Sequence, residues 1–356
     1  MRKLIRYLFL RPILWVANTF STAPDRQRIY TALTKLKVRL QTDPGKKGFV
    51  IPFDINTGKY ILFSDQHKGR KNGADDFMLA EANYVSALDY YNREAFHLIC
   101  LGDCEELWEN TLFHVKKHNT LSFEAEKKFV FRDAFTKIFG NHDLDWEINP
   151  TAATDLAELY ERQIAVMEGV ILQAMIDERM FTLFCTHGHQ GDLQSDGNLF
   201  SKFFVSKIWA PLQAYLRINP NTPAYNATLK TEHNNIMYEW SSDQQDLLLI
   251  TGHTHQPVFE SLTHFERMQR SDAIKNSRNE PVQKNYNIPT PSLEFFQKIR
   301  PTYFNTGCCC YDDGDITGIE IDRGYIRLVK WEKKDGKSER VELEKISFLQ
   351  LARQLS

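Results

Sequence analysis

The stretch IFGNHDLDW, from Ile138 to Trp146, ends a short apolar run in Gly140, Asn141, His142 and Asp143. Alone it suits an ordinary turn, since Asn and Asp bond their own backbone and Gly supplies a positive φ. It does not stand alone. From Lys59 onward, apolar runs of strand length end repeatedly in polar turns: KYILFSDQH (59–67), FHLICLGDCEELW (96–108), FTKIFGNHD (135–143), RMFTLFCTHGH (179–189), DLLLITGHTH (246–255) and PTYFNTG (301–307). Between the first two, Phe77, Ala80, Tyr84, Leu88 and Tyr91 recur at helical spacing, and TDLAELYERQIAVMEGVILQAMIDERM (154–180) reads as a second helical segment. Strands alternating with helices predict an α/β fold in layers. In such sheets a ligand sits beyond the carboxyl ends of the strands, where all these turns fall.

The turns collect Asp65, His67, Asp103, Asn141, His142, His187, His189, His253 and His255. A single histidine at a strand end is commonplace; a series of such turns, each directly after an apolar run, is a pattern. Carboxylates, imidazoles and an amide without thiolates are the inventory of a mixed oxygen and nitrogen metal site. There are enough ligands for two ions. Two metals roughly 3.5–4 Å apart clamp the attacking and leaving oxygens of an in-line phosphoryl displacement. Adjacent dications repel, which favours a shared carboxylate, and Asp103 is central in the series. Asn141 offers an amide oxygen without adding negative charge near an anionic substrate.

The order Asp-x-His, Gly-Asp, Gly-Asn-His-Asp, a separate His, then Gly-His-x-His resembles the calcineurin-like metallophosphoesterases over roughly residues 58–332. The resemblance implies a four-layer α/β sandwich with a dinuclear centre. It would place the first metal on Asp65, His67, Asp103 and His255, and the second on Asp103, Asn141, His187 and His253. His187 is preferred to His189 because the family's separate His directly follows its strand; His189 then either supports a ligand from behind or faces the substrate. His142 would protonate the leaving oxygen, with Asp143 orienting it and raising its pKa. The implied reaction is phosphoester or pyrophosphate hydrolysis by a metal-bridging hydroxide, with two divalent ions, Mn, Fe or Zn, as cofactors. GDCEELWE, and a helical insertion between His187 and His253, further resemble the UDP-diacylglucosamine pyrophosphohydrolases of lipid A synthesis. That family usually has Arg where this chain has His142, and its members are shorter.

The segment GNLFSKFFVSKIWAPLQAYLRINPNTPAYNATLK (197–230) is aromatic, apolar and basic, and reads as a helical cap over the site, within an insertion at about 192–245. The expected organisation is an N-terminal segment (1–55), a metallophosphoesterase domain (56–335) and a C-terminal tail (336–356) that forms a short strand or helix. DITGIEIDRGYIRLVKWE (315–332) predicts a β-hairpin turning at Asp322, Arg323 and Gly324. Arg70 and Lys71, with Lys68, follow the first ligand pair and are candidates for phosphate contact. Cys104 and Cys308 to Cys310 are expected to pack beside the site.

Arg6, Arg11 and Pro12 interrupt the N-terminal apolar run, so it falls short of the roughly 20 apolar residues of a membrane span. Its basic and apolar mixture suits equally a helix packed on the domain and an interfacial anchor in peripheral contact with a membrane. The net charge of −2 excludes a global bias toward nucleic acid, and no extended nucleic-acid partner is expected. The six cysteines form no disulfide framework and point to a reducing compartment, hence a cytoplasmic protein, peripheral at the inner face of the membrane. The expected substrate is a phosphorylated small molecule or a lipid-linked one. The alternatives are a nuclease or nucleotide phosphodiesterase, and a non-catalytic scaffold of the same fold.

Overall fold

The computed structural model describes residues 24–71, 75–191, 227–278 and 291–356. Its strands are β1 (Gly48–Pro52), β2 (Tyr60–Phe63), β3 (His97–Leu101), β4 (Phe135–Ile138), β5 (Val166–Met167), β6 (Gly169–Ile176), β7 (Arg179–Thr186), β8 (Leu247–Thr251), β9 (Val258–Phe259), β10 (Leu262–Thr263), β11 (Tyr303–Asn305), β12 (Ile316–Asp322), β13 (Tyr325–Lys334) and β14 (Lys337–Ser347). They form two seven-stranded sheets, in the orders β1-β6-β7-β8-β11-β9-β10 and β14-β13-β12-β2-β3-β4-β5.

Strand alternation assigns each residue to a layer. In β2 and β3, Tyr60, Leu62, Ile99 and Leu101 join Leu172, Leu183, Leu248, Ile250 and Phe304 in the core between the sheets. The intervening Ile61, Phe63, Leu98 and Cys100 pack on helices Glu81–Arg93 and Thr120–Val130, through Tyr84, Leu88, Tyr91 and Phe129. On the other side, Ile171, Phe184 and Leu249 meet helices Arg26–Thr42 and Ala227–Ser242, through Ile29, Leu33, Leu40, Met237 and Trp240. The result is helix, sheet, sheet, helix: a four-layer α/β sandwich. The central strands are buried on both faces and pair in parallel, β2 with β3, β3 with β4, and β7 with β8, which explains their unbroken apolar runs.

The structure differs from the sequence reading in places. Residues 154–180 are not one helix. Helix Ala152–Tyr160 stops at Glu161, whose φ is 55°, and Gly169–Ile176 is strand β6 between β1 and β7. There Val170 and Leu172 face one core while Ile171 faces the other, a period of two mistaken for the helical one. Part of the N-terminal segment belongs to the sandwich, as helix Arg26–Thr42 and strand β1. So does the expected tail: β14 pairs with β13 along its length, and Phe348 and Leu351 enter the core between the sheets. Of the expected cap insertion, residues 227–242 are a layer helix, and residues 192–226 lie outside the described residues. The predicted hairpin is formed by β12 and β13, with Arg323 and Gly324 both at positive φ, 51° and 76°. Two such residues in succession are what a tight two-residue hairpin turn demands.

Candidate metal centre

Parallel pairing of β2, β3 and β4 brings their carboxyl ends to one edge, opposite those of β7 and β8. The turns leaving them are sharply bent. Asp65, His67, Asp103, His253 and His255 all have left-handed φ, between 50° and 69°. Such conformations cost of order 1–3 kcal/mol each for non-glycine residues and persist only where the surroundings over-determine them. Here the turns are tied together. Asp65 N donates to Gly102 O at 3.0 Å, His67 N to Asp103 O at 2.9 Å, and Gly252 N to His187 O at 2.9 Å. Two glycines admit the ligands closely. A Cβ on Gly102 would lie 2.6 Å from the His187 ring, and one on Gly140 would lie 2.1 Å from Asp103 Oδ1.

The side chains converge as two linked sets. Around Asp65, its Oδ1 lies 3.2 Å from His255 Nε2 and 3.8 Å from His67 Nε2, and the two imidazole nitrogens are 3.2 Å apart. Around Asp103, Oδ2 lies 3.1 Å from His187 Nε2 and 3.9 Å from His67 Nε2. Asp103 therefore touches both sets. Ligand atoms of Asp103, His187 and His253 lie within 4.8 Å of one another, as do those of His67, Asp103 and His142.

These atoms fit metal ions. Asp65 Oδ1, Asn141 Oδ1, His187 Nε2 and His253 Nε2 are buried and, among the described residues, have no hydrogen-bond partner. Burying four such groups unpaired is costly, and cations would satisfy all of them. His187 Nδ1 donates to Leu101 O at 2.9 Å, which turns Nε2 toward the centre as the coordinating atom. Electrostatics agree. Burial opposes the ionisation of Asp65, but the imidazoles of His255 and His187 outweigh it and hold the carboxyl well below its usual range. Burial likewise opposes protonation of His187, yet Asp103 and Asp65 raise it to about 9.

His142 is partly exposed, at 17 %, as is His255, at 14 %. His142 Nδ1 lies 2.6 Å from Glu106 Oε2, and the same oxygen lies 3.1 Å from His67 Nδ1. Trp108 stacks on the His142 ring, with centroids 4.1 Å apart and planes at 20°. Burial disfavours the charged form of Glu106, but His142 and His67 hold its pKa down to about 2. Glu106 thus does what the sequence reading assigned to Asp143. Asp143 turns the other way: Oδ1 accepts from Gly140 N at 2.6 Å and Oδ2 from Cys104 N at 2.8 Å, stapling the turn after β3 to the turn after β4. Glu106 had a legible signal, an acid three residues past Asp103 on the same turn, and Trp108 follows in the same stretch.

The other candidates divide. His189 is buried, with its ring centroid 5.4 Å from that of His187. Arg70 is exposed. Lys71 pairs with Glu81 rather than facing the centre. Lys68 is fully buried beneath it, 2.6 Å from Glu126 and 3.2 Å from Glu105, and Lys137 joins Glu105 at 2.9 Å. All six cysteines are free and buried, and Cys310 Sγ lies 3.9 Å from His255 Nδ1.

Fold and centre together make a four-layer α/β sandwich with a cluster of residues at the strand ends that could hold metal ions. Among solved structures, the chain is similar to vacuolar protein sorting 29 from Cryptosporidium parvum, at 14 % identity and a TM-score of 0.30, covering 82 % of this chain and 98 % of that one. It is also similar to wild-type Vps29 from Entamoeba histolytica complexed with zinc, at 13 % identity and a TM-score of 0.30, covering 80 % of this chain and 99 % of that one. No family model and no curated protein matches the chain. At that degree of likeness, the reading of the centre rests on its own geometry. Among the described residues, no helix is long and apolar enough to cross a membrane.

Proposed function

We propose that the chain is a metal-dependent phosphoesterase with a dinuclear centre. The observation that carries this reading is the convergence of Asp65, His67, Asp103, Asn141, His187, His253 and His255, four of them with orphaned buried ligand atoms. Asp65, His67, Asp103 and His255 would hold one ion, and Asp103, Asn141, His187 and His253 the other. When bound, Mn, Fe or Zn ions would supply Lewis-acid stabilisation of phosphoryl oxygens and an activated water.

The chain's own residues supply the rest. His142 carries a proton on Nδ1 toward Glu106 and delivers another from Nε2 to the leaving oxygen. Trp108 fixes the plane of that ring. Asp143 holds the turns after β3 and β4 in register. His189 contacts the substrate. The substrate in this reading is a phosphoester or pyrophosphate with an amphiphilic or nucleotide-linked body, in a cytoplasmic setting that keeps the cysteines reduced. The relation to the UDP-diacylglucosamine hydrolases belongs to the same proposal. A panel of monoesters, diesters, nucleotides and lipid pyrophosphates, assayed with each metal, tests it. Hydrolysis of none of them by metal-loaded protein would reject it.

A further inference from the structure

Helix Arg26–Thr42 carries five cations, Arg26, Arg28, Lys35, Lys37 and Arg39, and no acid. Its apolar stripe, Ile29, Leu33, Leu36 and Leu40, is buried on the first sheet. Two cations are used within the fold. Arg26 Nε donates to Glu239 at 2.7 Å, and Lys37 Nζ to Gln244 at 2.6 Å. Arg28, Lys35 and Arg39 lie elsewhere. They recur at helical spacing along another stripe, and among the described residues no carboxylate pairs with them.

These three cations line a groove of about 380 Å³, together with Thr31, Glu168 and Gly191. The acid on the wall is itself paired: Glu168 lies 2.9 Å from Lys47, which also holds Glu147 at 2.7 Å. Gly191 closes one end: a Cβ there would lie 2.6 Å from the Cα of Ile29. Gly191 is two residues past His189, so the turn that carries His187 runs directly into the groove.

We propose that this groove binds the phosphate headgroups of an anionic lipid surface. Arg28 to Arg39 spans about 16 Å at 1.5 Å per residue, the reach of a row of headgroups rather than a single phosphate. Among the described residues, no aromatic side chain lines the groove to offer a platform for stacking bases. Asp25 caps the helix beside Arg28, so the chain joins this end of the groove from residues 1–23, which lie outside the described residues. Their sequence adds Arg2, Lys3, Arg6 and Arg11 among apolar residues, the composition of an interfacial anchor. The inference deepens the amphiphilic-substrate reading. Its test is binding rather than turnover, so the two can fail separately.

The experiment is co-sedimentation of the full chain with vesicles of phosphatidylcholine alone and of phosphatidylcholine mixed with phosphatidylglycerol. A variant carrying Arg28→Gln, Lys35→Gln and Arg39→Gln is compared with a control carrying Lys46→Gln, Lys298→Gln and Lys333→Gln. Thermal melts verify that both are folded. At low salt the wild type is expected to pellet with the anionic vesicles only, and to be released by high salt. Each cation near such a surface is worth about fivefold in binding, so the groove variant should lose at least about tenfold and the control far less. Equal loss in the two variants would overturn the proposal. So would a wild type that ignores anionic vesicles, or one that binds soluble pyrophosphate through these three residues but not vesicles.

Discussion

One oxygen of Glu106 lies 2.6 Å from Nδ1 of His142 and 3.1 Å from Nδ1 of His67, so a single carboxylate serves both the candidate proton donor and a candidate metal ligand. Glu106→Gln keeps the shape and removes the charge. Loss of a carboxylate behind a metal-bound histidine typically costs about 10–100-fold. The expected result is a fall in turnover of that order, steeper for esters with poor leaving groups. Steady-state rates on paired alkyl and nitrophenyl esters would show it. An equal loss on both would restrict Glu106 to supporting the metal.

His142→Ala separates proton delivery from metal binding. Turnover should drop by about 10²–10⁴, the usual scale of acid–base assistance, while metal content stays at the wild-type level. Loss of metal in this variant would make His142 a ligand.

Gly140→Ala tests the close approach of two turns. The added Cβ would meet Asp103 Oδ1 at 2.1 Å, so Asp103 must move. Overpacking of this kind costs about 1–3 kcal/mol. The variant is expected to melt lower and to bind metal more weakly than the wild type, by calorimetry and metal titration. Unchanged metal affinity would mean that Asp103 is not held where the ligands converge.

His97 gives the fold a pH dependence away from the centre. Burial and the nearby Arg132 lower its pKa to about 4, and its Nε2 meets Thr136 Oγ1 at 2.8 Å. The unfolded ring titrates near 6.5. Between these values the unfolded chain binds more protons, so stability rises with pH. This contribution is complete above about pH 6.5 and is lost as the pH falls toward about 4. His97→Gln should flatten the dependence of denaturation midpoint on pH in that window, by about 1–3 kcal/mol across it. An unchanged slope would mean that the ring ionises freely in the folded state.

The ligand turns were legible because each combines a buried apolar run with polar residues that make no sense at the end of a strand unless they meet. Asp65, Asp103 and His253 need no long-range knowledge to be noticed. What sequence could not rank was which neighbour each histidine would face. Asp143 adjoins His142 in the chain, yet bonds the Gly140 backbone three residues back, a local choice open to any Asp in a turn. Glu106 reaches His142 from another strand end. The β6 strand was hidden for a related reason. Val170, Ile171 and Leu172 are apolar on both sides because each side has its own core, which erases the alternation that marks a half-buried strand. The C-terminal residues look like a charged tail because much of β14 alternates polar residues into solvent, while only Ile346, Phe348, Leu351, Ala352 and Leu355 enter the core between the sheets.

The central claim is a two-metal centre bridged by Asp103. Elemental analysis of the wild type and of Asp103→Asn, each purified and then equilibrated with Mn, Fe or Zn, tests it most directly. The account predicts about two ions per wild-type chain, and in the variant fewer ions with turnover abolished. A wild type that takes up no metal, or a variant that keeps both ions and full activity, would contradict it.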